Sequence, residues 1–221
     1  MHIQFIDQGF DSVLIDNCYS PEELAQMQRE MRAITLDNQF LDSSTALKTA
    51  QDSTDPGRQL ASRKGTFLDE RIKDWRTSHL IRNSRLKLMS KDLEQVMVSH
   101  NSLYRIFFAD MARSHLLNYY EHNDYYDWHD DSMVFTVLNW FCVEPQAFTG
   151  GEFGLRNHQG EELKIEFKNN RVLIIPSCTL HKVYPVSLPN NPKECSGLGR
   201  YTLTVFVSTW PSEDHPGRYK R

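Results

Sequence analysis

No run of apolar residues in this 221-residue chain approaches the roughly 18 to 20 needed for a membrane-spanning helix, so a membrane is not an expected partner. The start, Met1-HIQFIDQGF-Asp11, lacks the basic-then-apolar order of a secretory leader, which makes a cytoplasmic location the default expectation. Cysteine is scarce and scattered. Cys18, Cys142, Cys178 and Cys195 form no CxxC pair, which argues against a zinc knuckle or a disulfide framework and for free thiols in a reducing compartment. A basic excess is also missing: the net charge is -4, so no nucleic-acid partner is expected, and the short tail Gly217-RYK-Arg221 does not change that. There is no internal repeat and no low-complexity tract. Oligomeric state stays open.

What is present is the composition of a folded globular protein, with 39% hydrophobic and 24% charged residues. Residues 20–34 predict a helix: Ser20 is a good N-cap, Pro21 suits the first helical position, and Glu23 completes a capping box. Leu24, Met27, Met31 and Ile34 then give it one apolar face. Residues 37–63 are polar, carry Asp55-Pro56-Gly57, and read as a long loop. From about Leu80 to Val98 apolar residues cluster with helix formers, and Ser90 is a plausible cap for a second helix.

After about Leu103 the texture changes to short β-prone runs. These are His115-LLNY-Tyr120, Phe135-TVLNWFC-Val143, Arg171-VLIIP-Ser177 and Tyr201-TLTVFV-Ser208, separated by turn signals such as Thr149-Gly150-Gly151 and Asn169-Asn170. The expected fold is mainly β with N-terminal helices (α+β). It is a single domain with a support region over 1–102, an antiparallel core over 103–210 and a tail over 211–221.

The stretch Tyr120-EHNDYYDWHD-Asp131 crowds carboxylates, imidazoles and aromatics together. In a strand, His129 and Asp131 point to one face while Asp130 points away, a spacing that suits a divalent metal. His181, after the apolar strand that ends at Pro176, can supply a third ligand. Two histidines and a carboxylate with open positions form the facial triad of non-haem iron(II) oxygenases. Arg200 opens an apolar strand where an unpaired charge is unfavourable, with Thr202 on the same face. A guanidinium fork beside a hydroxyl suits capture of a carboxylate.

The order of these motifs resembles the 2-oxoglutarate and Fe(II)-dependent dioxygenases, in particular their prolyl-4-hydroxylase-like branch, over about Leu116 to Ser208. Tyr120 and Tyr126 precede His129 in a Y-x5-Y-x2-H-x-D pattern. Phe135-TVLNWFCVEPQAFTGGEF-Gly154 leads into a GGE turn, His181-KVYP-Val186 follows, and Arg200 stands before x-Thr. The resemblance implies a double-stranded β-helix (jelly-roll, cupin-like) that holds iron through His129, Asp131 and His181. It implies 2-oxoglutarate contacts from Tyr120, Arg200 and Thr202, with Thr136, Leu138 and Trp140 lining that pocket. Tyr126 and Trp128 are candidate substrate residues at the entrance, with Asp127 or Asp130.

The implied chemistry consumes 2-oxoglutarate and O2, releases succinate and CO2, and hydroxylates a C–H of a peptide or protein residue or of a small molecule. Ascorbate is a candidate helper. Two departures stand out. His181 lies nineteen residues before Arg200, a long gap filled by the polar insertion Ser187-LPNNPKECSGL-Gly199. Arg200 also stands where collagen-type prolyl hydroxylases commonly have Lys. Residues 37–63 and 187–199 are candidate rim loops, of which one or both are expected to cover the metal site. The rival readings are a non-catalytic β-barrel binding module and a cupin-type metal dioxygenase that uses no 2-oxoglutarate; the latter would leave Arg200 and Tyr120 without a role.

Overall fold

In the computed structural model, the described residues are 1–37, 39–42, 58–109, 112–189 and 195–209. Most of the expected loop, residues 43–57, and the tail from 210 onward lie outside them.

The chain opens with two strands, β1 (His2–Ile6) and β2 (Ser12–Asp16), paired antiparallel. The sequence reading placed helices first and did not anticipate this hairpin. Helix α1 (Pro21–Leu36) follows, with the expected capping box: the Ser20 hydroxyl accepts from the Glu23 amide and the Glu23 carboxylate accepts from the Ser20 amide. Strands β3 (Leu41–Asp42), β4 (Ala61–Ser62) and β5 (Lys64–Phe67) come next, then a single helical turn, α2 (Leu68–Arg71). The helix-prone region over 80–98 holds α3 (His79–Leu88) and α4 (Lys91–His100), the latter capped by Ser90 as expected. The break falls at Met89-Ser90, where the Ser90 hydroxyl caps the Leu93 amide and starts a new helix instead of continuing the old one. A short turn of helix, α5 (Arg105–Phe108), precedes the β core.

That core runs β6 (Ala112–Tyr120), β7 (Tyr125–His129), β8 (Phe135–Phe141), β9 (Thr149–Gly150), β10 (Phe153–Arg156), β11 (Glu162–Ile165), β12 (Arg171–Pro176), β13 (Leu180–Val183), β14 (Val186–Ser187) and β15 (Arg200–Ser208). The strands form an eight-stranded sheet, β1-β2-β12-β8-β15-β6-β5-β3, facing a five-stranded sheet, β11-β10-β13-β7-β4, with a separate β14-β9 pair. All pairings are antiparallel, and the fold is a double-stranded β-helix whose sheets do not close into a barrel.

The large sheet is buried on both faces, which explains why β8 and β15 read as near-continuous apolar runs. On its outer face Val137, Leu117, Leu203 and Val205 pack with Met27, Met31, Leu80 and Leu93 of the helices. On its inner face Leu138, Trp140 and Leu173 meet Phe153, Leu155 and Val183 of the smaller sheet. The inner layer is where the expected site residues converge.

Candidate functional site

His129 ends β7 and His181 lies in β13, and the two are paired in register across these strands. Their rings stand 4.1 Å apart, centre to centre. Asp131 follows β7 by two residues, and the ligand atoms of His129, Asp131 and His181 lie within 4.8 Å of one another. Each imidazole is anchored from behind. His129 donates its Nδ1–H to the Asp127 carbonyl at 2.8 Å, and His181 donates its Nδ1–H to the Thr179 carbonyl at 2.8 Å. A carbonyl can only accept, so both rings carry the proton on Nδ1 and turn the Nε2 lone pair to the cluster.

Asp131 is held as firmly: its amide donates to the Ser177 carbonyl at 2.9 Å, and the Thr136 hydroxyl donates to its Oδ2 at 2.6 Å. Ser177 Oγ lies 2.9 Å from the same Thr136 hydroxyl. Burial, with the neighbouring His181 adding to it, pushes the His129 imidazole down to about 2, so the ring is neutral and ready to donate its lone pair. This donor set fits a divalent metal with open positions.

The other end of the interior is different. Arg200 is fully buried at the start of β15, opposite Tyr120 of β6. Its Nη1 donates to Thr202 Oγ1 at 2.6 Å, while Nε and Nη2 have no partner. The guanidinium lies 5.3 Å from the ring centres of both Tyr120 and Trp140 and 5.5 Å from that of Phe167. Trp140 Nε1 is also buried without an acceptor. Burial pulls the Arg200 pKa down to about 10, which still leaves it charged at neutral pH. Three orphaned donors around one buried cation are what a bound carboxylate would satisfy. Gly151, at φ 69°, makes room for this side chain: a Cβ there would sit 3.0 Å from Arg200 Cδ. The GGE turn therefore serves packing at this end.

A cavity of about 490 Å³ lies between the sheets, and its lining includes His129, Asp131, His181, Thr136, Leu138 and Tyr126. Tyr120, Trp140, Arg200 and Thr202 sit behind it. Of the candidate entrance residues, Tyr126 stacks on His129 at 3.5 Å and Asp130 lines the wall. Trp128 does not border the cavity. A register shift between β7 and β13 turns its side chain to the outer face of the smaller sheet. There it packs beside Gly154, with the Arg156 and Lys182 side chains over its ring. Asp127 faces the same way and pairs with Arg58 and Lys182.

Of the two candidate rim loops, the insertion lies away from the metal in its described parts. Leu188 donates its amide to His122 Nδ1, and the Cys195 and Ser196 amides donate to Glu121. Glu121 and His122 follow Tyr120 directly, so both ends of the insertion are tied to the Arg200 end of the fold; residues 190–194 lie outside the described ones. The sequence reading also missed Ser177, Asn118 and Arg63, all of which reach the interior from runs without any motif.

A family model described as the 2OG-Fe(II) oxygenase superfamily matches residues 114–210. Residues 114–210 belong to the 2OG-Fe(II) oxygenase superfamily. The match covers the β core and falls on the stretch whose motif order resembles that family. The chain is similar in fold to a Pseudomonas putida prolyl-4-hydroxylase, with 12% identity, coverage of 91% of this chain and 94% of that one, and a TM-score of 0.60. A Trichoplax adhaerens prolyl hydroxylase, solved with a hypoxia inducible factor peptide fragment, matches at 16% identity over 90% and 83% of the two chains, TM-score 0.61. A Burkholderia pseudomallei oxidoreductase of the 2OG-Fe(II) oxygenase family matches at 15% identity over 95% and 88%, TM-score 0.55. At the level of sequence, no curated protein matches the chain. Among the described residues, no helix is long and apolar enough to cross a membrane.

Proposed function

We propose that the oxygenase hydroxylates an unactivated C–H bond while converting 2-oxoglutarate to succinate and CO2, with His129, Asp131 and His181 as the iron ligands. The observation that carries this reading is the pairing of two features in one interior: a three-ligand cluster with its lone pairs turned inward, and a buried, unpaired Arg200 behind it. Iron(II) bound with 2-oxoglutarate and O2 supplies the oxidising chemistry. The protein's own groups do the positioning. The Asp127 and Thr179 carbonyls fix the imidazole tautomers, and Thr136 with Ser177 fixes Asp131. Arg200 and the Trp140 indole hold the distal carboxylate of the cosubstrate, Tyr120 stands beside it, and Thr202 orients the guanidinium. Leu138 and Phe153 keep the cavity wall apolar.

For the substrate we infer a small polar molecule or a single inserted side chain. The charged and polar groups of Arg63, Glu70 and Asp130 in the cavity walls support this, and Trp128 lies outside it. The peptide carried by the Trichoplax adhaerens enzyme keeps a peptidyl substrate as the second reading. The reading places the enzyme in the cytoplasm, where thiols such as the exposed Cys178 stay reduced.

The test is succinate release from purified protein with Fe(II), 2-oxoglutarate and ascorbate, with and without a panel of free amino acids and proline-containing peptides. Slow release without substrate and faster release with one member is the expected result. Iron bound with no succinate above a metal-free control would leave a binding module instead.

A further inference from the structure

Arg200 is not the only buried arginine of the interior. Arg63 is the single residue between β4, which pairs with β7 of the smaller sheet, and β5, which pairs with β6 of the larger. The chain changes sheets at this position, and the side chain enters the gap between them. It is 5% exposed and lines the cavity that holds the metal-ligand cluster. Its guanidinium lies 4.7 Å over the Tyr126 ring, the ring that stacks on His129. Nη1 donates to Asn118 Oδ1, and Asn118 in turn donates its Nδ2–H to Thr204 Oγ1 at 3.1 Å. Nε is buried with no acceptor.

These partners, the Asn118 amide oxygen and the Tyr126 ring with its hydroxyl, which also hydrogen-bonds Arg63, carry no net charge. Among the described residues no acidic group pairs with Arg63, although Glu70 and Asp131 share its cavity. A guanidinium cannot shed its proton to escape burial, so an unpaired one inside a cavity calls for an anion from outside. Arg200 cannot serve at this end. Thr204, which anchors Asn118, lies four residues along β15 from it, about 13 Å of strand.

We propose that Arg63 is a second carboxylate-binding residue of the cavity, holding a carboxylate of a molecule bound beside the metal ligands. This rests on the oxygenase reading above. The carboxylate has two possible sources: the one adjacent to the keto group of 2-oxoglutarate, or one on the substrate. A planar fork takes either in the same way.

The test measures binding to the full chain loaded with Mn(II) in the absence of O2, for native protein, Arg63→Gln, Arg63→Lys and Arg200→Gln. The probes are 2-oxoglutarate, oxalate (which keeps adjacent carboxylates and lacks the distal one), and free amino acids with their amides added after 2-oxoglutarate. If the carboxylate belongs to 2-oxoglutarate, Arg63→Gln weakens both diacids about tenfold or more, while Arg200→Gln weakens 2-oxoglutarate alone. If it belongs to the substrate, Arg63→Gln leaves both diacids unchanged and weakens the free amino acids, while their amides bind native and variant proteins alike. Arg63→Lys, which keeps the charge and loses the fork, shows the same pattern in smaller measure and carries the test if the glutamine variant does not fold. A lower melting temperature with every carboxylate probe bound as by the native protein would make Arg63 structural and overturn the proposal. Native protein that binds no 2-oxoglutarate would instead overturn the oxygenase reading, and this assignment with it.

Discussion

At the metal end of the interior, each ligand side chain has a partner on its outer side and turns a lone pair inward, whereas at the Arg200 end the donors are left without acceptors. His129 and His181 lean on backbone carbonyls and Asp131 on Thr136. Arg200 and Trp140 keep three buried N–H-bearing atoms unpaired. The first arrangement is complete before anything binds. The second is completed only by acceptors from a ligand. Ligands at the two ends should therefore have opposite consequences for stability and binding when their protein partners are removed.

The largest effect belongs to the metal ligands. Asp131→Ala, and equally His129→Ala or His181→Ala, should reduce iron affinity by more than the 10- to 100-fold typical of losing an outer partner, and succinate formation should disappear. Circular dichroism should stay native, because the three side chains line a cavity wall and do not fill the packed apolar core. Iron binding by all three variants at native affinity would show that the cluster is not the metal site.

The next effect sharpens the contrast from the opposite end. Arg200→Met keeps the volume and removes the charge. It should leave iron binding intact and weaken 2-oxoglutarate by about 2 to 3 kcal/mol, the worth of a charged bidentate pair. Its melting temperature should be unchanged or higher, since an unpaired buried charge has been replaced by an apolar chain. A large loss of stability with native 2-oxoglutarate affinity would mean that Arg200 is a packing residue. Thr136→Val returns to the metal end with a smaller cut. Losing the 2.6 Å bond to Asp131 should cost about tenfold in iron affinity, read by competition with a chelator.

These contrasts also show what could be read without coordinates. His129 and Asp131, and likewise Arg200 and Thr202, are separated by two residues within one run. The period of a strand put Arg200 and Thr202 together within β15, whereas β7 ends at His129 and Asp131 is held in the cluster by its amide bond to the Ser177 carbonyl. Trp128 shows the limit of that rule. A register shift between β7 and β13 breaks the alternation, and parity counted from Tyr126 then assigns Trp128 to the wrong face. Arg63 was out of reach for a different reason. Its position depends on two strands of two and four residues that pair with different sheets, and elements that short leave no periodic signal. The β1–β2 hairpin was overlooked in a segment read only for targeting signals. The anchors of the insertion, Glu121 and His122, could not be read either, because they stand far from it in sequence.

That last failure yields the smallest prediction. Glu121 accepts from the Cys195 and Ser196 amides and from the Tyr119 hydroxyl, and its carboxylate lies 3.5 Å from Lys64 Nζ. These bonds secure the segment leading into Gly199, which packs against the Tyr120 carbonyl just before Arg200. Glu121→Ala should lower stability by about 1 to 2 kcal/mol through the stranded donors and raise the KM for 2-oxoglutarate a few-fold. Iron affinity should not move, because the metal end shares none of these bonds. Removing the insertion should accordingly depress succinate formation with and without substrate together, as expected for a support of the cosubstrate end. If deletion abolished only the substrate-stimulated fraction, residues 187–199 would instead act on the substrate side, and the division of the interior into two independently held ends would fail.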